Sequence, residues 1–305
     1  MTDYQVIIGP TAAGKSRIAM GLATARHLAI ISADSRQIYR GFDIGTAKPS
    51  RPEQVTVPHF GIDVCAPQER FSAHAWASAA ASWIAQADAS GRRAAVVGGT
   101  GFYIRALISP LDTVPVLSMG ERESLGTWLH GLEARELRRW CIRLDPQRAT
   151  LGRVQQLRAV ETALLSGHRL SASFTGSATR PQRTVRYLVV DPGAALAQRI
   201  ASRVRSMVAE GWLAEIEALG AAVPDDAPAW KASGYAAMRD CLRGTLSETE
   251  AVNRVIVETR QYAKRQRTWC RHQLFDGAVS YLNPDRDDAL DLALAWWDGS
   301  NLESS

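Results

Sequence analysis

The plainest chemistry in the sequence lies near the amino terminus, where Gly9-Pro10-Thr11-Ala12-Ala13-Gly14-Lys15-Ser16 satisfies G-x-x-x-x-G-K-[ST] in full. Glycines let backbone N–H groups turn inward around phosphate oxygens. A helix starting at the end of the run adds the partial positive charge of its first turn. Lys15 neutralises phosphate as a point charge, and the Ser16 hydroxyl is a ligand for Mg²⁺. Phosphate binding leaves the reaction open. A site that cleaves a γ-phosphate sets an acid at the end of a sheet strand to hold Mg²⁺, whereas the apolar run Ala94 to Val97 ends in Gly98-Gly99-Thr100-Gly101. The acid here is Asp34, beside Ser35-Arg36-Gln37. Its position suits a ligand to metal-bound water or a general base toward an acceptor, and spacing does not separate the two.

These residues need a scaffold that sets loops side by side. Tyr4 to Ile8 is an apolar run before the glycine loop, and Arg17 to Ala25 has helical composition. Leu28 to Ser32 and Ala94 to Val97 are further apolar runs, the Ala- and Trp-rich stretch Phe71 to Ala89 reads as a helix, and Val185 to Val190 is a fourth strand. Continuous apolar strands alternating with helices predict an α/β fold, a parallel sheet of P-loop NTPase type covered by helices on both faces. Residues 115–184 carry arginines at helical spacing (Arg135, Arg138, Arg139) and no clear strand, which predicts a helical insertion with a Ser/Thr/Gly/Pro-rich tail from Ser171 to Thr184. Residues 1–114 and 185–305 then form the core, helical from 191 to about Leu274, with Asn301 to Ser305 frayed.

Composition narrows the class. The chain has 305 residues, 46% hydrophobic and 22% charged, within the ordinary globular range. The opening Met1-Thr2-Asp3-Tyr4 has no basic leader region and no apolar run is long enough for a membrane span, which predicts a cytoplasmic protein. Cys65, Cys141, Cys241 and Cys270 lack C-x-x-C or metal spacing and read as reduced thiols. The formal charge of +5 permits a nucleic-acid partner. Of 36 basic residues four are lysines (Lys15, Lys48, Lys231, Lys264), leaving 32 arginines, so each lysine is a candidate for work that suits a compact ammonium.

Six stretches, in order, resemble the bacterial tRNA dimethylallyltransferases: GPTAAGKS at 9–16, DSRQIY at 34–39, DIGTAKP at 43–49, HFGID at 59–63, GGTGFY at 98–103 and TRQYAKRQRTWCR at 259–271. The resemblance implies a Mg²⁺-dependent transfer of the dimethylallyl group from dimethylallyl diphosphate to N6 of the adenosine 3′-adjacent to the tRNA anticodon, with loss of pyrophosphate. It implies that Gly9 to Ser16 hold the diphosphate, that Asp34 is the general base, and that Thr100 contacts the acceptor nucleotide or the metal-diphosphate region. It also implies tRNA contact by Asp34, Ser35, Arg36, Gln37, Thr100, Arg122, Gln155 and Arg158. A monomer is expected.

The segment 252–271 reads by its own pattern as a solvated charged face or an RNA-facing helix, and the absence of acids along its basic stripe together with the resemblance favours the second. At 100° per residue Val252, Ile256, Thr259, Ala263 and Cys270 share one face, while Arg260, Lys264, Arg267 and Arg271 form a neighbouring basic stripe suited to phosphate backbone. Trp128 and Trp140, at helical spacing in the insertion, suit stacking on bases, but tryptophan at that spacing is more often core, and core is the expectation. The sequence departs from the family at Leu151 to Glu161, which keeps Arg158 and Glu161 but not an Asn-Asp pair, and at Gly234-Tyr235-Ala236-Ala237, where the family has Gly-Tyr-Lys-Glu. The alternatives are an isopentenyltransferase acting on free adenine nucleotides, a P-loop kinase, and an RNA-binding protein without chemistry. The insertion and basic helix weigh against the first, TRQYAKRQRTW against the second, and Asp34 beside the phosphate loop against the third.

Overall fold

The computed structural model describes residues 4–109, 119–174, 184–274 and 277–302. Six strands build one parallel sheet: β1 (Tyr4–Ile8), β2 (Ala29–Ala33), β3 (His59–Phe60), β4 (Ala94–Gly98), β5 (Val185–Val190) and β6 (Gly277–Leu282), in the order β3-β2-β4-β1-β5-β6. The helices between β1 and β5 are α1 (Lys15–Arg26), α2 (Arg51–Thr56), α3 (Ala73–Ala89), α4 (Gly101–Ile108), α5 (Met119–Gly131), α6 (Ala134–Leu144) and α7 (Arg153–Ser166). After β5 come α8 (Leu196–Ala209), α9 (Trp212–Ala222), α10 (Tyr235–Leu242), α11 (Glu248–His272) and α12 (Ala289–Trp297). The chain forms two compact units, residues 109–180 and the remainder.

The larger unit is the α/β body. Central strands β1, β2, β4 and β5 are almost wholly buried, as continuous apolar runs demand when both faces of a sheet are covered. Ile18, Leu22 and Ala23 of α1 pack with Trp296 and Trp297 of α12 against one face. Elsewhere Trp76 of α3 stacks on Tyr103 of α4 at 4.9 Å and donates its indole N–H to Ser32 O at 3.1 Å. Two strands escaped the sequence pattern. β3 is two residues long, and β6, at the sheet edge, alternates exposure rather than burying a run.

The smaller unit is helical through its described residues, with a core of Leu129, Leu137, Cys141, Ala149, Ala159, Val160 and Leu170. Trp128 and Trp140 are not in that core, contrary to expectation. They are 42% and 36% exposed and meet each other edge-to-face at 5.5 Å. Each ring is one helical position from a core residue, Leu129 or Cys141, and a cluster of mostly aliphatic side chains this small leaves two indoles at its border. The boundary at 114/115, most of the tail Ser171 to Thr184, and residues 303–305 of the frayed end lie outside the described residues.

Candidate active site

Strand register brings the loops together. Ile8 and Ala33 both pair with Gly98, so the phosphate loop after β1, Asp34 after β2 and Gly99-Thr100 after β4 leave the sheet side by side at its carboxyl edge. Open α/β sheets bind their ligands at this edge. Gly98 is required there, because a Cβ would run into the Ala33 carbonyl.

The phosphate loop has the backbone its glycines anticipate. Gly14 sits at φ 90° as the N-cap of α1, and Ala12 is also left-handed at φ 61°. Gly9, Pro10 and Ala13 complete the turn, with Ala13 N–H bonded to Pro10 O at 3.3 Å. Lys15 Nζ donates to Pro10 O at 2.7 Å, and the exposed Ser16 opens toward the same cavity. Burial, and then the nearby Arg203 charge, lower Lys15 from its usual value to about 8.

Asp34 lines two adjoining cavities. One holds Lys15 and Ser16; the other has the apolar side chains Ile200, Val204, Met207, Trp212 and Val255 in its wall. Asp34 Oδ1 accepts the Arg36 N–H at 2.8 Å. Thr100 Oγ1 accepts the Ser35 N–H at 3.0 Å and lies 3.3 Å from Ser35 Oγ, so β4 and β2 hold each other's loops. The Arg36 side chain lines the apolar cavity. Gln37 is used internally: its amide donates to Ala47 O at 3.0 Å and Thr46 O at 3.3 Å, and its carbonyl accepts from Ser32 at 3.0 Å.

Four site residues were not picked out from the sequence. Arg203 of α8 lines the same cavities as Lys15 and Asp34; burial lowers its pKa and Asp34 opposes that shift. Tyr262 of α11 shares the apolar cavity, held protonated to about pH 12 chiefly by burial and then by the Asp34 charge. Glu215 of α9 caps the loop 43–47 from behind, accepting from Asp43 N at 2.9 Å, Ile44 N at 2.6 Å and the Tyr235 hydroxyl at 2.6 Å. Gln266 of α11 reaches Thr11 and Gly99. Arg203 and Glu215 carry no local motif, whereas Tyr262 and Gln266 sit inside the segment 259–271 already singled out.

On α11, capped at Ser247 by a capping box with Glu250, the buried face is Ala251, Val255, Ile256, Ala263, Gln266 and Cys270; Val252 and Thr259 are half-buried. The basic stripe divides. Arg260, Lys264 and Arg271 are exposed, Arg260 touching Ala197 O at 3.5 Å, whereas Arg267 is locked to Asp191 at the end of β5. In the smaller unit Arg122 forms a two-pronged pair with Glu161 at 3.1 and 2.9 Å, and Gln155 and Arg158 are exposed on α7. Lys48, its side chain 3% exposed, binds Asp43, Asp63 and Tyr39 O. The four cysteines are unpaired and three are buried. No helix among the described residues is long and apolar enough to cross a membrane.

Known proteins resemble this chain in sequence and fold. The pattern of the family described as IPP transferase matches residues 37–273, and that described as isopentenyl transferase matches 2–57. The chain belongs to the IPP transferase family. Among relatives, the tRNA dimethylallyltransferase of Anaeromyxobacter sp. (strain Fw109-5) is 40% identical over 296 residues, 94% of this chain and 97% of that one. That of Picosynechococcus sp. (strain ATCC 27264 / PCC 7002 / PR-6) is 36% identical over 95% of this chain and 96% of its own. The crystal structure of the full-length tRNA isopentenylpyrophosphate transferase from Bacillus halodurans superposes with a TM-score of 0.69 at 30% identity, covering 98% of this chain and 96% of that one. A eukaryotic dimethylallyltransferase acting on tRNA, 22% identical, shares the fold with a TM-score of 0.79 and covers 100% of this chain and 82% of its own. In this family member the phosphate loop and the Asp34 loop lie in register at one sheet edge.

Proposed function

We propose that the protein transfers the dimethylallyl group of dimethylallyl diphosphate to N6 of the adenosine 3′-adjacent to the anticodon of tRNA, releasing pyrophosphate. The observation that carries this reading is the shared position of Asp34, in the cavity of Lys15 and Ser16 on one side and an apolar cavity on the other. Diphosphate in the loop would leave its five-carbon tail facing apolar wall, with a carboxylate close by.

As the donor C1–O bond breaks and the N6–C1 bond forms, the N6 proton passes to Asp34 and the bonding electrons leave with the diphosphate. An aromatic amine is a weak nucleophile, so a positioned base is worth roughly 10²–10⁴-fold. Charge growing on the leaving group falls among the loop amides, Lys15 and Arg203. Among the described residues no group of three His, Cys, Asp or Glu side chains converges on a metal position. The Ser16 hydroxyl is the side chain that would hold Mg²⁺, and the ion would neutralise charge on the departing diphosphate. Arg260, Lys264 and Arg271, with Arg122, Gln155 and Arg158, are the side chains assigned to tRNA. The protein is read as a cytoplasmic monomer.

The test is prenyl transfer by purified protein with Mg²⁺ and labelled dimethylallyl diphosphate, offering unmodified tRNA or AMP. Label on the anticodon-loop adenosine, lost in Asp34→Ala, is the expected result. Label on AMP alone would keep the phosphate site and remove the tRNA assignment.

A further inference from the structure

Gln266 is a polar side chain in an otherwise apolar face of α11, 7% exposed among Ala263, Cys270 and their neighbours. An amide buried there is costly unless both its ends are paired, and both are. Its Oε1 accepts the Thr11 N–H at 2.8 Å, and its Nε2 donates to Gly99 O at 3.0 Å. A backbone N–H only donates and a carbonyl only accepts, so these partners also fix which way the amide faces.

The partners belong to the two halves of the reaction centre. Thr11 lies in the phosphate loop that runs on to Lys15 and Ser16. Gly99 precedes Thr100, whose hydroxyl accepts the Ser35 N–H next to Asp34. Pairing of β1 with β4 ends at Gly98, whereas β4 stays joined to β2 through the Thr100 N–H to Ala33 O at 3.1 Å; between the phosphate loop and Gly99, Gln266 bridges the gap. Gly99 preserves the bridge independently, because a Cβ there would overlap Gln266 Nε2.

We propose that Gln266 is a positioning residue that sets the spacing between the diphosphate cradle and the loop bearing Asp34, an inference that rests on the transfer reaction proposed above. Attack requires N6 to lie about 3–3.5 Å from C1, and a shift of about 1 Å costs on the order of 10²-fold. When the acceptor half drifts, water takes its place: the C1–O bond breaks, a C1–O bond to water forms, the water gives up a proton, and pyrophosphate leaves with dimethylallyl alcohol as the second product. Misalignment is therefore read as alcohol formed per group transferred, a ratio that a reduced amount of folded enzyme does not alter.

The experiment measures that ratio, with kcat and both KM values, for wild type, Gln266→Met and Gly99→Ala, using labelled dimethylallyl diphosphate and tRNA. Met matches the length of Gln without its hydrogen bonds; Gly99→Ala leaves the sequence of α11 unaltered and displaces the amide, its Cβ also lying 3.2 Å from Gly9 O. The expected result is a transfer kcat lower by about 30- to 100-fold, KM values within about threefold, and an alcohol-to-transfer ratio at least about tenfold higher in both variants. Transfer and hydrolysis falling together, with the ratio unchanged, would overturn the proposal. If Gln266→Met does not fold, the ratio in Gly99→Ala decides alone. A wild type that prenylates no tRNA would instead sink the transfer reading, so the two failures are distinct.

Discussion

Arg267 closes on Asp191 with two parallel N–H···O bonds of 2.8 and 2.5 Å, and its Nη2 also reaches Gly193 O at 2.6 Å. Asp191 follows the last residue of β5, so this arginine pins α11 to the sheet, although its spacing places it on the basic stripe of the helix. Geometry thus separates one bracing cation from three exposed ones.

The separation is measurable in salt. Lys264→Ala and Arg271→Ala each lower the slope of log affinity for tRNA against log salt by about 1, since each removes about one phosphate contact. Arg267→Ala leaves the slope unchanged and lowers stability by about 1–3 kcal/mol, through loss of a half-buried, two-pronged pair. Filter binding between 50 and 200 mM salt, with thermal melts, checks both. An Arg267→Ala protein with normal melting and a reduced slope would reverse the assignment.

Lys15 gives a pH dependence of definite sign. Its pKa is lowered to about 8 by burial first and Arg203 second, so the empty site loses its ammonium charge as pH rises through that value. The KM for dimethylallyl diphosphate is then flat below about pH 7.5 and rises toward tenfold per unit above about 8.5, as expected for one proton. Stability runs the other way. The folded pKa lies below the unfolded 10.5, so the cost of burying the charge is full below pH 8 and relieved between about 8 and 10.5. Lys15→Met accordingly raises the melting temperature of the ligand-free protein at pH 7 while abolishing transfer. A KM that stays constant to pH 9.5 would contradict the lowered value.

Lys48 is a second lysine with a bracing task. Its ammonium is enclosed by Asp43, Asp63 and the Tyr39 carbonyl. Lys48→Ala leaves both carboxylates without a cation; because Asp43 is largely exposed and Asp63 partly so, the expected loss is about 2 kcal/mol, or roughly 4–8 °C in melting temperature. Lys48→Arg does not restore it, since a planar guanidinium does not fit where a compact ammonium meets three acceptors. Full recovery in the arginine variant would show that charge alone suffices.

What could be read in the sequence follows from which forces are local. The four central strands are apolar on both faces and stand out as continuous runs, and the phosphate loop announces itself because its glycines and lysine serve a geometry spanning eight residues. β3 and β6 sit at sheet edges, where burial is incomplete and the pattern fades. Arg203 is one of 32 arginines on an ordinary amphipathic helix, and only the packing of α8 beside the loop makes it part of the site. Gln37 shows the converse: it lies next to Asp34 in a distinctive motif, yet its amide is committed to Thr46 and Ala47.

Those two carbonyls belong to a loop that Glu215 holds from the other side. Its carboxylate accepts from the Asp43 and Ile44 amides and from Tyr235, whose hydroxyl is kept protonated by burial and by that same carboxylate. The loop in turn presents Gly45 and Thr46 to the apolar cavity, and Gly45 has no room for a Cβ against Trp212. In Glu215→Gln the NH₂ replaces either the oxygen that accepts from Asp43 and Ile44 or the one that accepts from Gly45 N at 3.4 Å, so at least one backbone amide is orphaned, at a cost of about 1–3 kcal/mol. Because the orphaned group is in the loop rather than at Lys15 or Asp34, the expected signature is a KM for the donor raised several-fold, with the pH dependence set by Lys15 unshifted. Glu215→Gln with unchanged KM and unchanged melting would mean that the bonds from Gln37 suffice to hold the loop.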